Sequence, residues 1–161
     1  MEIHPETGRP ETDRERVDRN LTELLTELRV ALPGVQVLFA FLLVVPFNNR
    51  FARVTTYEKD VYLVTLLCAA AASVCLIAPT IQHRIEFRRQ DKAHIVMVGN
   101  QLAIVGLTFL AVAMTGAILL VTDVLFGGTT SVISAGVLAL AFAVLWYAIP
   151  LQRLRHRRRS D

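Results

Sequence analysis

The chain contains 161 residues, of which 53% are apolar, and its mean hydropathy is +0.46. A compact water-soluble domain of this size rarely has so apolar a composition. The charges are also clustered, since eight of the fourteen acidic residues precede Arg29 and long later stretches carry no charge. Composition and charge therefore exclude an ordinary soluble domain and predict an integral membrane protein.

The segment before the first long apolar run divides into a polar end and a predicted helix. Residues 1–11 are polar and contain proline, which is typical of a disordered terminus. Residues 12–29 are predicted to form a cytoplasmic amphipathic helix that begins at a capping box of Thr12 and Glu15. Its apolar face consists of Val17, Leu21, Leu24, Leu25 and Leu28, and the same spacing continues to Leu32. The favoured interpretation is a helix at the membrane interface, and the alternative is a helix that binds a partner or dimerises.

The first apolar run, residues 30–47, is predicted to cross the membrane. As a helix its eighteen uncharged residues would extend about 27 Å, and an arginine flanks it at each end. Pro33 near its start and Pro46 at its end stand where a helix tolerates proline. Gln36 is a polar residue about one turn inside the run. We expect its amide either to hydrogen-bond a neighbouring helix or to line a polar path.

Three further apolar runs complete the predicted fold. They cover residues 61–81, 102–121 and 132–151, and each would reach about 30 Å as a helix, enough to cross the hydrocarbon layer. The predicted fold class is an all-α integral membrane protein with four transmembrane helices preceded by the cytoplasmic amphipathic helix. The four-helix bundle occupies residues 30–152, and residues 153–161 form a basic cytoplasmic tail.

The distribution of lysine and arginine predicts the orientation of these crossings. Fourteen of these residues lie in the N-terminal segment, the middle loop and the tail, whereas three lie in the first loop and none in the third. We therefore expect a multi-pass protein of the cell membrane with its N- and C-termini in the cytoplasm. The third loop, DVLFGGTTS, is predicted to be a tight outer turn made by Gly127 and Gly128.

Few residues in the predicted crossings carry reactive chemistry. Asp123, at the outer end of the third crossing, is expected either to form a cation or proton site with Thr115 and Thr122 or, as the favoured interpretation, to lie in the headgroup region. Asp123 and Gln36 are thus the candidate polar or ion sites. No histidine has metal-ligand spacing, and no nucleotide-binding or nucleophile motif is present. The sequence predicts no enzyme, no cofactor, no metal site and no nucleic-acid partner.

Small residues at helical spacing predict where helices pack closely. They are residues 68–73 in the second crossing, Gly99, Ala103, Gly106, Ala113 and Ala117 in the third, and Ala135, Ala139 and Ala143, each four residues apart, in the fourth. Such ridges either pack the helices of one chain together or leave a face for another chain. The partners predicted are therefore the lipid bilayer and either a second copy or another membrane protein.

Several blocks of the sequence resemble a known family. They are RNLTELLTELRVALPGVQVLFAFLLVVPF, DVYLVTLL, IAPTIQHRIEFRR, LAVAMTGAILLVTDVLFGG and LWYAIPL. These blocks resemble small actinobacterial four-helix membrane proteins of unknown function, some of which carry the label sodium:proton antiporter. The resemblance covers nearly the whole chain after residue 13 and supplies no catalytic residues. The sequence favours an interaction, structural or accessory subunit, and the alternative is a small oligomeric ion-coupled transporter such as a sodium:proton antiporter.

Overall fold

All regular secondary structure is helical in the part of the chain that the computed structural model describes, residues 12–49, 51, 54–86 and 92–152. The elements are α1 (Asp13–Val44), a 3₁₀ helix (Val45–Phe47), α2 (Thr56–Glu86), α3 (Lys92–Phe126) and α4 (Gly128–Phe142), which a π-helical segment (Ala143–Ala148) continues. The all-helical fold class is confirmed. The predicted disordered end and basic tail lie outside the described residues.

Within the described residues, four helices are long and apolar enough to cross a membrane. They cover Glu15–Phe47, Thr56–Gln82, Val96–Phe126 and Gly128–Gln152. Each contains one of the predicted crossings and extends beyond it at one or both ends. The number of candidate crossings therefore agrees with the prediction, by length and composition.

The predicted amphipathic helix and first crossing form one helix in the structure. α1 runs without a break from Asp13 to Val44 and holds Pro33 inside it, so a separate amphipathic helix over residues 12–29 is not supported. A proline inside a helix removes one backbone hydrogen bond and costs about 3 kcal/mol. The helix continues because its buried face keeps helical spacing on both sides of the proline. This face comprises Leu21, Leu24, Leu28, Val35 and Leu42.

Capping boxes begin both α1 and α2. The Thr12 N–H donates to Glu15 Oε2 at 2.9 Å, and the Glu15 N–H donates back to Thr12 Oγ1 at 3.4 Å, as predicted. Thr55 and Glu58 make the same reciprocal pair, at 2.6 and 3.2 Å. The second box was not predicted, and it starts α2 five residues before the apolar run at Val61.

The chain forms two compact units. The first comprises Met1–Leu38 and Ala70–Thr108, and the second comprises Phe39–Ala69 and Phe109–Asp161. Gln36 therefore belongs to the first unit, whereas Asp123 and α4 belong to the second.

In the first unit, α3 approaches α1 and α2 closely at two glycines. A Cβ atom at Gly99 would lie 2.9 Å from Leu24 Cδ2 and 3.4 Å from Pro79 Cβ, and one at Gly106 would lie 2.8 Å from Leu76 Cγ. Both glycines are buried. The part of the predicted third-crossing ridge that contains Gly99, Ala103 and Gly106 therefore packs inside the chain, where glycine permits close backbone approach.

In the second unit, a hydrogen bond joins α2 to α1. Tyr62, 8% exposed, donates its hydroxyl proton to the Leu42 carbonyl oxygen at 3.0 Å, and its ring packs edge-to-face on Phe51. In a regular helix this carbonyl would accept from the N–H of residue 46, but Pro46 has none. Tyr62 thus supplies the donor that the proline lacks, which avoids an unpaired backbone acceptor in a buried place.

α3 also approaches α2 closely within the second unit. A Cβ atom at Gly116 would collide with the Thr65 hydroxyl, which donates to the Val61 carbonyl oxygen at 2.7 Å. Thr65 is 2% exposed, so its side chain is enclosed at this contact. Glycine at position 116 is therefore required by the contact itself.

A single residue connects α3 to α4. Gly127 has φ +88°, a conformation that glycine adopts readily and other residues rarely do. Its N–H donates to the Asp123 carbonyl oxygen at 3.0 Å, and its own carbonyl accepts from the Ser131 N–H at 3.2 Å. The predicted tight turn is present, but Gly127 alone makes it because Gly128 already belongs to α4.

α4 widens towards its end. The turn Ala143–Ala148 is π-helical, and the Ile149 N–H donates to the Val144 carbonyl oxygen. Pro150 follows, and in a regular α-helix its ring would collide with the carbonyl four residues earlier. The wider turn accommodates the proline without ending the helix. This wider turn was not predicted, although Pro150 signals it in the sequence.

Candidate functional site

Asp123 lies in the last turn of α3, and its side chain reaches the start of α4. The Ser131 hydroxyl lies 3.3 Å from Asp123 Oδ1 and 3.1 Å from the Gly128 carbonyl oxygen, so its proton is available to either acceptor. Asp123 is half-buried and Ser131 is buried. A carboxylate near a helix N-terminus also interacts favourably with the helix dipole. Asp123 therefore helps to hold the turn between α3 and α4.

The two threonines predicted to help Asp123 bind a cation donate to their own helix. Thr115 Oγ1 donates to the Ala111 carbonyl oxygen at 2.8 Å, and Thr122 Oγ1 donates to the Ile118 carbonyl oxygen at 2.6 Å. Among the described residues, no three His, Cys, Asp or Glu side chains come together as a possible metal-binding group. The hydrogen bonds described for Asp123 are therefore with Ser131 and the backbone of the turn, whereas Thr115 and Thr122 donate to their own helix.

Gln36 lies on an exposed flank of α1. It stands six residues after Val30, where the uncharged stretch begins, which is about 9 Å along the helix axis. Its amide has no hydrogen-bond partner within the described part of the chain. The amide is therefore available to a group outside this chain.

The three alanines of α4 do not share one environment. Ala135 is 7% exposed and packs in the second unit, whereas Ala139 and Ala143 are exposed. The reason is geometric, because a step of four residues turns an α-helix by about 40° beyond a full rotation. At nearby Gly136, a Cβ atom would meet nothing within 4 Å. α4 thus has a packed side containing Ala135 and an open side containing the other two alanines.

Sequence reasoning missed the residues that hold the second unit together. Tyr62 was treated as part of an apolar run, although Pro46 signalled a carbonyl that needed another donor. Gly116 and Thr65 were also missed, because their contact joins positions 51 residues apart and no local pattern reveals it. These residues have structural roles that sequence spacing alone does not show.

The fold is that of an all-helical chain compatible with a multi-pass membrane protein, since four of its helices are long and apolar enough to cross a membrane. The chain belongs to the Family of unknown function (DUF6328), whose model matches residues 10–150. No curated protein and no solved structure matches the chain. Membership in this family identifies no specific activity, which agrees with the prediction of an unknown biochemical activity.

Proposed function

We propose that the chain is an integral protein of the cell membrane, with both termini in the cytoplasm, that serves as an interaction, structural or accessory subunit and not as an enzyme. Its four apolar helices cross the bilayer. The basic residues of the N-terminal segment, the middle loop and the tail keep these three segments on the cytoplasmic side.

The exposed side of α1 supports insertion into a membrane. One exposed stripe runs along the helix at three- and four-residue intervals, and its character changes between Thr26 and Val30. The stripe comprises Arg19, Glu23 and Thr26, followed by Val30, Pro33, Val37, Phe41 and Val44. Val30 is 79% exposed and Phe41 is 72% exposed. A helix surface that changes abruptly from charged to apolar, while its buried side stays apolar, suits a passage from water into lipid.

The use of polar side chains in the core supports a structural or interaction role. Thr65 and Thr115 donate to their own helices, Tyr62 donates to α1, and Ser131 pairs with Asp123 across the turn. Every buried side-chain nitrogen or oxygen atom of the described residues has a hydrogen-bond partner. This observation carries the proposal, because these groups stabilise helices and contacts between them.

A sodium:proton antiporter remains the second candidate, and one observation favours it. Asp123 is a half-buried carboxylate with the Ser131 hydroxyl and the Gly128 carbonyl close by, a set of oxygen atoms that suits a hard cation. An intramembrane carboxylate is also the usual proton carrier of such transporters.

Ion flux separates the two candidates. The protein is reconstituted in liposomes that contain a pH-sensitive dye, and a sodium gradient is applied. We expect no sodium-driven proton movement by the wild type or by Asp123→Asn, which keeps an oxygen acceptor for Ser131 and should fold normally. Proton movement by the wild type that is lost in Asp123→Asn would overturn the subunit proposal and favour the antiporter.

Membrane insertion is tested separately. After expression in cells, membranes are washed with alkaline carbonate, which removes peripheral proteins. We expect the chain to stay with the lipid fraction. Release of the chain into the wash would overturn the proposal that it is an integral membrane protein.

A further inference from the structure

Gln36 places an unpaired amide on the apolar part of α1. On either side of it along the helix, Val30 and Val37 are 79% and 55% exposed. If α1 crosses the bilayer as proposed above, the amide lies among lipid tails. An amide without a hydrogen bond is costly there, since lipid tails offer neither donors nor acceptors. The side of α1 that carries Gln36 therefore needs a polar partner.

The residues around Gln36 form a strip along one side of α1. Leu32, Gln36, Ala40 and Leu43 follow each other at intervals of four, four and three residues, and we name this strip the Gln36 flank. Leu32 is half-buried and the other three are exposed. Ala40, one turn beyond Gln36, is small enough to let another helix approach closely.

We infer that the Gln36 flank is the interface of a parallel homodimer, in which the Gln36 amides of two copies hydrogen-bond each other. An amide carries both donors and an acceptor, so each of two amides related by a two-fold axis can donate one N–H to the carbonyl oxygen of the other. Copies inserted with the same orientation also hold Gln36 at the same depth. A second copy thus provides an amide at the same depth in the bilayer as Gln36, whereas a different protein would need a matching polar group at that depth.

The charge nearest to the flank is compatible with this pairing. Arg29 is exposed and lies seven residues before Gln36, about 10 Å along the helix axis. A side chain of this length keeps its guanidinium in the headgroup region while its stem covers apolar surface. The two Arg29 charges are therefore hydrated and do not meet inside the interface.

Energy transfer between fluorescently labelled copies in phosphatidylcholine–phosphatidylglycerol vesicles measures the dimer, with dilution into excess lipid giving a dissociation constant. We expect Gln36→Leu to raise this constant about tenfold, because the polar pair is lost. Gln36→Asn, which keeps an amide, should restore part of the affinity. Gln101→Leu is the matched control, since it removes an exposed amide from α3 and should leave the constant unchanged.

Disulfide cross-linking tests the geometry in a chain whose own cysteines are replaced by alanine (Cys68→Ala, Cys75→Ala). Ala40→Cys retains Gln36 and should give a covalent dimer in membranes, whereas Phe41→Cys, which turns to another side of α1, should not. Adding Gln36→Leu to Ala40→Cys should reduce the cross-link. Equal cross-linking at positions 40 and 41, a monomeric wild type in vesicles, or unchanged dimerisation of Gln36→Leu would each overturn the inference. If the chain is nevertheless retained by carbonate-washed membranes, only the dimer is overturned and the proposed membrane insertion is supported. If the chain is released, both the membrane insertion and the dimer are overturned.

Discussion

Tyr62 illustrates how one side chain offsets a backbone defect in a neighbouring helix. Tyr62→Phe keeps the ring packed on Phe51 but leaves the Leu42 carbonyl without its donor. We expect the free energy of unfolding to fall by about 1–2 kcal/mol, the usual cost of an unpaired buried acceptor. Thermal or denaturant unfolding in mild detergent measures this change.

Two further variants separate this hydrogen bond from a general effect of removing a hydroxyl. Tyr57→Phe is the control, because Tyr57 is 60% exposed, and it should change stability little. Pro46→Ala restores an N–H near the Leu42 carbonyl, so Tyr62→Phe should cost less in that background. An equal cost in both backgrounds would contradict the role assigned to Tyr62.

Gly116 is the residue at which close packing is most sensitive to size. Gly116→Ala would drive a methyl group into the Thr65 hydroxyl, so we expect destabilisation of about 1–3 kcal/mol. Thr65→Ala in the same chain should recover part of the loss. Gly136→Ala is the matched control, since its Cβ atom would meet open space, and it should be neutral or slightly stabilising. Similar melting temperatures for the two alanine variants would contradict this assignment.

At the scale of the element, α4 combines a packed side with an open one. Ala135→Leu should destabilise the chain by about 1–3 kcal/mol, because the larger side chain enters the second unit. Ala139→Leu should leave the stability of the chain unchanged, since position 139 is exposed. Unfolding measurements on the two variants compare them directly, and equal destabilisation would show that position 139 is also covered.

The sequence predicts the apolar middle of each helix better than its ends. The apolar run at 102–121 identifies α3, yet α3 begins at Lys92 and ends at Phe126. The parts of the helices beyond the apolar runs contain polar residues, so hydropathy alone does not identify them as helical. The capping box at Thr12 was visible because its spacing is local, whereas the continuity of α1 through Pro33 depends on burial of residues far apart in the chain.

The candidate site was predictable only in its residue types. Asp123 was identified as a boundary carboxylate or an ion site, but its pairing with Ser131 depends on a turn of one residue whose geometry the sequence did not specify. For the alanine ridge, the spacing predicted small residues on one side of α4, whereas the structure divides them between a packed side and an open side. The spacing did not show which of them α3 or another helix covers, because that depends on tertiary packing.

At the scale of the whole molecule, the proposed orientation predicts which positions reagents reach from outside the cell. Single cysteines are placed at Gly128 or Ser160 in a chain whose own cysteines are replaced by alanine. We expect an impermeant maleimide to label Gly128→Cys in intact cells and to label Ser160→Cys only after the cells are opened. The opposite pattern would reverse the orientation deduced from the fourteen-to-three distribution of basic residues.

The one-residue connection at Gly127 also constrains how the protein is made. A link of one residue is too short for one of the two helices to enter the bilayer while the other stays outside. In a membrane-inserted chain, α3 and α4 must therefore leave the translocon together as a helical hairpin. No lysine or arginine occurs between residues 93 and 152. In the proposed topology the only lysine or arginine of the hairpin is Lys92 at its start, so its far end is retained on the cytoplasmic side only after the ribosome has synthesised the basic residues that begin at Arg153.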